Sequence, residues 1–472
     1  MTEQEIQSIL SLHNAAIVAP AGHGKTEMIV DIVEHATGKK LLLTHTNAGV
    51  DNLEKRLKKR NIAKNKYAIS TIAAFCIKWC MSYYQSAAFD KSLSPLNGKD
   101  EAKKYYAQLY KGTKKIFTND WSGVVLRSTY TGVIVDEYQD CIQEQHEIIV
   151  AINRFLPVIV LGDPMQGIFS FAGNLIDWND IGFTMIHVET KPWRWSSSNP
   201  KLGDYLTTVR NQMTPILSGQ RCQVHLELCE ESIEILSPAT FNSYALLRKI
   251  KNYASVLYIA RWEREQLNFC NKMPGIFQND EKQECNELFD YARKFDSQAG
   301  TKLALSIIQF AHECATQVNS GLKSYKIKLQ AENCDFSRIR KYTDFGNLLE
   351  GVCYSKSLAA ITQVLSWFKS SGAFKFYRIE LYAEMLRSIK YADQKNISVF
   401  EAANHMRKDA SLQKRYTQFK YLSSRTVLSK GLEFDCVIID MRDPLPAKDF
   451  YVAMTRAMKK IYIIAPTSDF VF

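Results

Sequence analysis

Residues 19–26 read APAGHGKT. They follow the apolar run AAIV and precede TEMIVDIVEHATG, whose apolar residues recur at helical spacing. A glycine-rich turn between a strand and a helix lets backbone N–H groups curl around phosphates. A lysine then reaches the β and γ oxygens, and a hydroxyl holds Mg2+. Ala21, Gly22, His23, Gly24, Lys25 and Thr26 are therefore the candidate ATP-binding loop, with Thr26 also a candidate metal ligand. Ala19 stands where the general pattern has its first glycine, and Pro20 and His23 fill variable positions. The competing reading is an ordinary glycine-rich turn.

A second stretch, GVIVDEYQD at 132–140, weighs against that alternative. An apolar strand ending in two carboxylates suits a nucleoside triphosphatase: Asp136 to hold Mg2+, Glu137 to orient and deprotonate the attacking water. Taken alone, the two acids could instead cap the next helix.

The 472 residues exceed what one hydrophobic core usually holds and suggest about two to three domains. With 46% hydrophobic and 23% charged residues the chain reads as globular. No apolar run approaches the roughly 20 residues of a membrane span. The start, MTEQEIQSIL, lacks a signal-peptide pattern, so no membrane association and a cytoplasmic location are expected. The 11 cysteines are scattered with no C-x-x-C pair, as reduced thiols would be. Net charge is +11, densest in KRLKKRNIAKNK at 55–66, which favours a polyanionic partner; a solvated helix face is the alternative there.

Strand-like runs (AAIVA, KLLLTHT, GVIVDE, PVIVLGD) alternate with helical patterns, which implies a parallel sheet covered by helices. A second strand-rich block runs through QVHLEL, IEIL and SVLYIA and resumes at CVIID and KIYIIAP, around a helical stretch. The expected fold is α/β: two parallel-sheet lobes, each with a mainly helical insertion. Residues 1–88 and 129–195 form the first lobe, with 89–128 a short insertion. Residues 196–280 and 420–472 form the second, with 281–419 its helical insertion.

In order through nearly the whole chain, the motifs resemble the UvrD/Rep family of superfamily 1 DNA helicases, as a compact member. They are TEQEIQ, LLLTHTNAGVDNLEKRL, STIAAF, DEYQD, LGDPMQGIFSFAG, KPWRWSSSN, SKGLEFDCVIID and FYVAMTRAMKKIYI. The resemblance implies RecA-like lobes, ATP and Mg2+ as cofactors, and single-stranded DNA as partner. It implies Gln4 as the adenine-reading glutamine, with Gln7 a rival, and Trp193 stacked on adenine. Glu433 would lie near the ribose, and Gln139 belongs to the acidic box. Gln166 would sense the γ-phosphate, and Arg194 and Arg456 would be arginine fingers. With Lys25 and Glu137 these last three make up the expected catalytic set. Thr46, Asn47, Thr71, Phe75, Phe169, Phe171 and Lys430 are implied at the DNA.

Other readings stay open: Phe169 and Phe171 as core residues, YVAMTRAMKK as a plain amphipathic helix. The sequence departs from the family at Ala73 and Val427, where histidines are usual, and at Glu27, where an arginine often flanks the adenine. These departures bear on DNA coupling and base packing rather than on hydrolysis. The expected activity is translocation along single-stranded DNA, 3′ to 5′ by resemblance, with modest strand-separating power. The alternative is a DNA-sensing ATPase that licenses a separate nuclease, as in bacterial anti-phage defence. A self-contained helicase-nuclease is disfavoured, because no tail follows Phe472.

Overall fold

A computed structural model describes residues 1–472 except 94, 96–98, 170–172, 228–230, 274–275, 281–285 and 413–418, with backbone alone at 99 and 407–412. Six strands make the first sheet: β1 (Asn14–Val18), β2 (Lys40–Thr44), β3 (Tyr67–Thr71), β4 (Gly132–Val135), β5 (Val158–Gly162) and β6 (Met185–Ile186). Their order is β3-β2-β4-β5-β1-β6, and every pairing is parallel. A parallel sheet is covered on both faces, so its strands read as unbroken apolar runs. The two-residue period still sorts them. Ala15, Ile17, Leu42, Ile134, Ile159 and Leu161 join Met28, Ile29 and Val33 of the helix Lys25–His35 in one cluster. Ala16, Leu41, Leu43, Val133, Val135, Val158 and Val160 face the other side.

Strand β3 was not among the runs picked out from the sequence, because YAIST mixes small and polar residues and is only half-buried. The lysine-rich stretch after Phe89 forms the helices Lys99–Phe117 and Asp120–Thr129. Its Tyr105, Leu109, Tyr110, Phe117 and Leu126 sit in the same cluster as Leu41, Val135 and Val160, so they complete the core over one face of the sheet.

Eight further strands follow: β7 (Gln223–His225), β8 (Ile233–Leu236), β9 (Val256–Ile259), β10 (Gln278–Asn279), β11 (Tyr421–Ser424), β12 (Phe434–Asp440), β13 (Ala457–Ile464) and β14 (Asp469–Val471). Among the described residues β8 to β13 form further parallel pairings. The α/β architecture with parallel sheets is thus the one expected. QVHLEL departs from expectation: β7 pairs antiparallel with β14 in a separate two-stranded ribbon.

The chain divides into two compact units, residues 1–239 with 429–472, and residues 240–428. The first holds the first sheet together with β8, β12 and β13, where β13 pairs parallel with both neighbours. The second holds β9, β10 and β11, with β11 parallel to both others, and a helical body between residues 286 and 412. That body has its own core around Phe295, Phe310, Phe345, Leu365 and Tyr382. Among the described residues no helix is long and apolar enough to cross a membrane, and Cys76, Cys80, Cys141, Cys222, Cys334, Cys353 and Cys436 are free thiols.

Candidate functional site

Parallel strands deliver their following loops to one edge of the sheet. The turns after β1, β4 and β5 meet there, because β5 lies between β4 and β1. Gly22 and Gly24 have φ of +73° and +87°, the left-handed region open to glycine. Both are also tight: a Cβ on Gly22 would lie 2.6 Å from the Trp195 ring, and one on Gly24 3.1 Å from Trp193. His23 is buried with Nδ1 2.9 Å from the Ala21 carbonyl, and burial lowers its pKa. Thr26 is half-buried in the first helical turn.

Lys25 is 9% exposed, and its Nζ lies 2.9 Å from Glu137 Oε2 as an ion pair. Beyond that ion pair, no further partner of Nζ is found among the described residues. Burial opposes the ammonium charge, but Glu137, Asp136 and Asp163 outweigh it and raise its pKa. A buried cation with donors to spare is poised for an oxyanion.

Asp136 ends β4, with its carboxylate accepting from the Glu137 N–H at 2.9 Å. Burial first, then the Glu137 charge, push its pKa up to about 7. Glu137 has φ of +55°, an uncommon backbone for a non-glycine residue and of the kind that concentrates at working sites. Burial would raise its pKa, but Lys25 and Lys430 reverse that and lower it. Gln139 donates to Glu137 Oε2, while its Oε1 accepts from the Asp163 N–H at 2.9 Å.

Residues far away in sequence complete the site. Arg456 follows the helix Ala447–Met454 and is 2% exposed. Its Nε caps that helix by donating to the Val452 carbonyl at 3.0 Å, and its Nη2 donates to Gln166 Oε1 at 3.3 Å. Its remaining contacts are Thr455 Oγ1 and the Leu432 carbonyl, so among the described residues its hydrogen bonds all go to neutral oxygens. Burial, with Arg194 nearby, brings its pKa down to about 9. A buried guanidinium without a carboxylate partner favours an incoming anion. The segment 450–463 is therefore no plain amphipathic helix: it breaks at Thr455 and Arg456 and continues as β13.

Arg194 accompanies the loop, with its backbone N–H on the Gly22 carbonyl at 3.0 Å. Its guanidinium binds Glu433 at 2.9 Å and the Thr455 carbonyl at 2.6 Å. Glu433, expected beside a ribose, is occupied by that ion pair. Trp193 is 61% exposed over Gly24, while Trp195 is buried beneath Gly22 and donates to the Ala457 carbonyl at 2.6 Å. Gln4 and Gln7 are exposed on the helix Glu3–Ser11, and neither is singled out by a contact.

The residues expected at DNA separate. Thr46 is exposed and N-caps the helix Asn47–Lys59, with Asn47 exposed beside it. Thr71 N-caps the helix Ile72–Ser82 and is half-buried. Phe75 requires correction: it is 5% exposed, stacked on Phe117 at 6.0 Å and beside Trp79 at 6.1 Å, and so serves the core. Lys430 is also internal, paired with Asp140 and donating to the Gln166 carbonyl at 2.7 Å. Its ammonium lies 5.2 Å from the half-buried Phe169 ring. Phe171 lies outside the described residues. Part of the basic stretch is neutralised, with Arg56 on Glu27, Arg60 on Asp31 at 2.9 Å, and Lys64 on Glu54 at 2.9 Å. That supports the solvated-face reading and gives Glu27 a partner.

Sequence reasoning missed Asp163, Arg210, Tyr451 and Trp195. Asp163 is completely buried and bound by Arg210 at 3.0 Å and Tyr451 at 3.2 Å. An acid directly after the apolar run PVIVLG was the available signal for Asp163. Nothing comparable marked Arg210.

Both ATP and Mg2+ fit these residues. The glycine cradle, the buried Lys25 ammonium and the Arg456 cation suit phosphate oxygens. Thr26 and Asp136 offer the few oxygen ligands that Mg2+ asks of a protein.

Residues 2–172 match the AAA domain family. The match spans β1 to β5 and includes the glycine loop and both acids. No relative is found among curated proteins. Among solved structures the chain is similar to arterivirus nonstructural protein 10 (helicase) with DNA, at TM-score 0.36 and 9% identity over 98% of this chain. It is similar to the same protein without DNA at TM-score 0.35 and 9% identity over 98% of the chain, and to the PRRSV helicase at equal values. The chain covers 63%, 62% and 54% of those structures.

Proposed function

We propose that the chain is an ATPase of the UvrD/Rep superfamily 1 type that couples Mg2+-dependent ATP hydrolysis to 3′ to 5′ movement on single-stranded DNA. The observation that carries this is the convergence of Lys25, Asp136, Glu137, Gln166, Arg194 and Arg456 on the edge of one sheet. The AAA domain match over residues 2–172 supports the nucleotide half of the reading.

Lys25 and Glu137 hold one another in this structure. Turning Lys25 onto phosphate oxygens leaves Glu137 without its main cation and restores its basicity toward water. Glu137 then takes a proton from the attacking water, while Gln139 keeps its carboxylate oriented. Arg456 and Arg194 supply positive charge where it builds on the transferring group. Mg2+, when bound by Thr26 and Asp136, would neutralise phosphate charge.

For DNA, the exposed Thr46 and Asn47 are the retained candidates, and Phe169 remains half-buried beside them in role. The interior positions of Phe75 and Lys430 lend some weight to the second reading, an ATPase that senses DNA for a partner nuclease. Stepping separates the two. Single-turnover translocation on end-labelled oligonucleotides should show length-dependent arrival at the 5′ end. ATP turnover without movement would favour the sensor.

A further inference from the structure

The Asp163 carboxylate is fully buried and accepts five hydrogen bonds. Oδ1 accepts from the Met165 N–H at 3.2 Å and from Arg210 Nη2 at 3.0 Å. Oδ2 accepts from the Ala21 N–H at 3.1 Å, Gln166 Nε2 at 3.2 Å and the Tyr451 hydroxyl at 3.2 Å. Arg210 balances the charge. The other bonds reach three separate segments: the glycine loop, the turn after β5, and the helix Ala447–Met454.

These bonds close a ring. Tyr451 adjoins Val452, whose carbonyl accepts from Arg456 Nε at 3.0 Å. Arg456 Nη2 donates to Gln166 Oε1 at 3.3 Å, and Gln166 Nε2 returns to Asp163. The Ala21 N–H also reaches the Tyr451 oxygen at 3.4 Å, so the loop is tied in twice. Asp163, Gln166, Tyr451, Val452 and Arg456 are all buried, where the low dielectric strengthens each bond.

We infer that Asp163 and Tyr451 are positioning residues that set the Arg456 guanidinium against the glycine loop through this closed ring. This rests on the ATPase reading above. A purely structural Asp163–Arg210 pair would stabilise the fold without distinguishing binding from turnover. A ring that aims Arg456 affects turnover selectively, because a finger acts on charge developed during transfer.

Tyr451→Phe keeps the ring of the side chain and removes one hydroxyl. Expected are a KM for ATP within about twofold and a kcat lowered about tenfold. The tightening of ADP binding by aluminium fluoride should shrink by a similar factor, with the thermal midpoint nearly unchanged. On an Arg456→Ala background the same change should cause no further loss, since the residue being aimed is gone. Asp163→Asn, which keeps one carbonyl oxygen, should give the same kcat-weighted split should Tyr451→Phe prove unstable. An unchanged kcat in a folded Tyr451→Phe protein, or losses that multiply with Arg456→Ala, would overturn the inference. Absence of ATP turnover in the wild-type protein would instead overturn the functional reading, and the inference with it.

Discussion

Lys25 and Glu137 face each other as an ion pair across the candidate site. Lys25→Ala should abolish turnover and weaken ATP binding, because the charge that bridges the phosphates is removed. Glu137→Gln should retain ATP binding and stall hydrolysis. Calorimetric titration with a non-hydrolysable analogue, beside a steady-state assay, distinguishes the two. His45 gives a separate prediction. It lies 3.5 Å from Cys141, and burial together with Lys430 brings its pKa down to about 4. Unfolded, it titrates near the ordinary value of about 6.5. Between these values the unfolded chain binds a proton that the folded one refuses, so stability falls as pH drops through that window. The slope is at most about 1.4 kcal/mol per pH unit. His45→Asn should flatten that part of the stability curve in urea titrations; an unchanged slope would mean that His45 is charged in the fold.

At the element scale, the first sheet was legible because its strands are continuous apolar runs punctuated by glycine and acids, and these features are local. The strand β3 was not, since its residues are half-buried and mixed. Phe75 was placed at DNA by the resemblance of STIAAF alone, and a motif match cannot distinguish an aromatic facing a base from one facing Phe117 and Trp79. Asp163, Arg210 and Tyr451 come from three distant segments, and only tertiary packing joins them. The loop between β1 and the helix Lys25–His35 is held from beneath by Trp195. In Gly22→Ala the new methyl would meet that ring at 2.6 Å on a backbone of φ +73°. The left-handed conformation alone costs about 1–2 kcal/mol for a non-glycine residue. ATP affinity should fall at least about tenfold, as 1.4 kcal/mol per decade implies, with only modest loss of global stability. Equilibrium binding of a fluorescent ATP analogue checks this, and unaltered affinity would show that the loop relaxes freely.

At the scale of the whole molecule, a net charge of +11 invites a polyanion, yet Arg56, Arg60 and Lys64 of the densest basic stretch are paired with acids. Affinity for oligonucleotides should therefore be indifferent to sequence and fall with salt, but with a shallow slope set by few phosphate contacts. Titrations at two salt concentrations test it, and a sequence-specific duplex footprint would contradict it. The helices between residues 286 and 412 show in their apolar period, whereas the ribbon of β7 and β14 was not legible, because a short alternating strand carries no mark of its partner.

The most direct test of the central claim is steady-state ATP hydrolysis with and without single-stranded DNA, in wild-type protein and in Arg456→Ala. Expected are Mg2+-dependent turnover that DNA stimulates, and a kcat lowered about a thousandfold in the variant with ATP affinity little changed. Absence of turnover in the wild-type protein, or a variant that hydrolyses ATP at the wild-type rate, would contradict it.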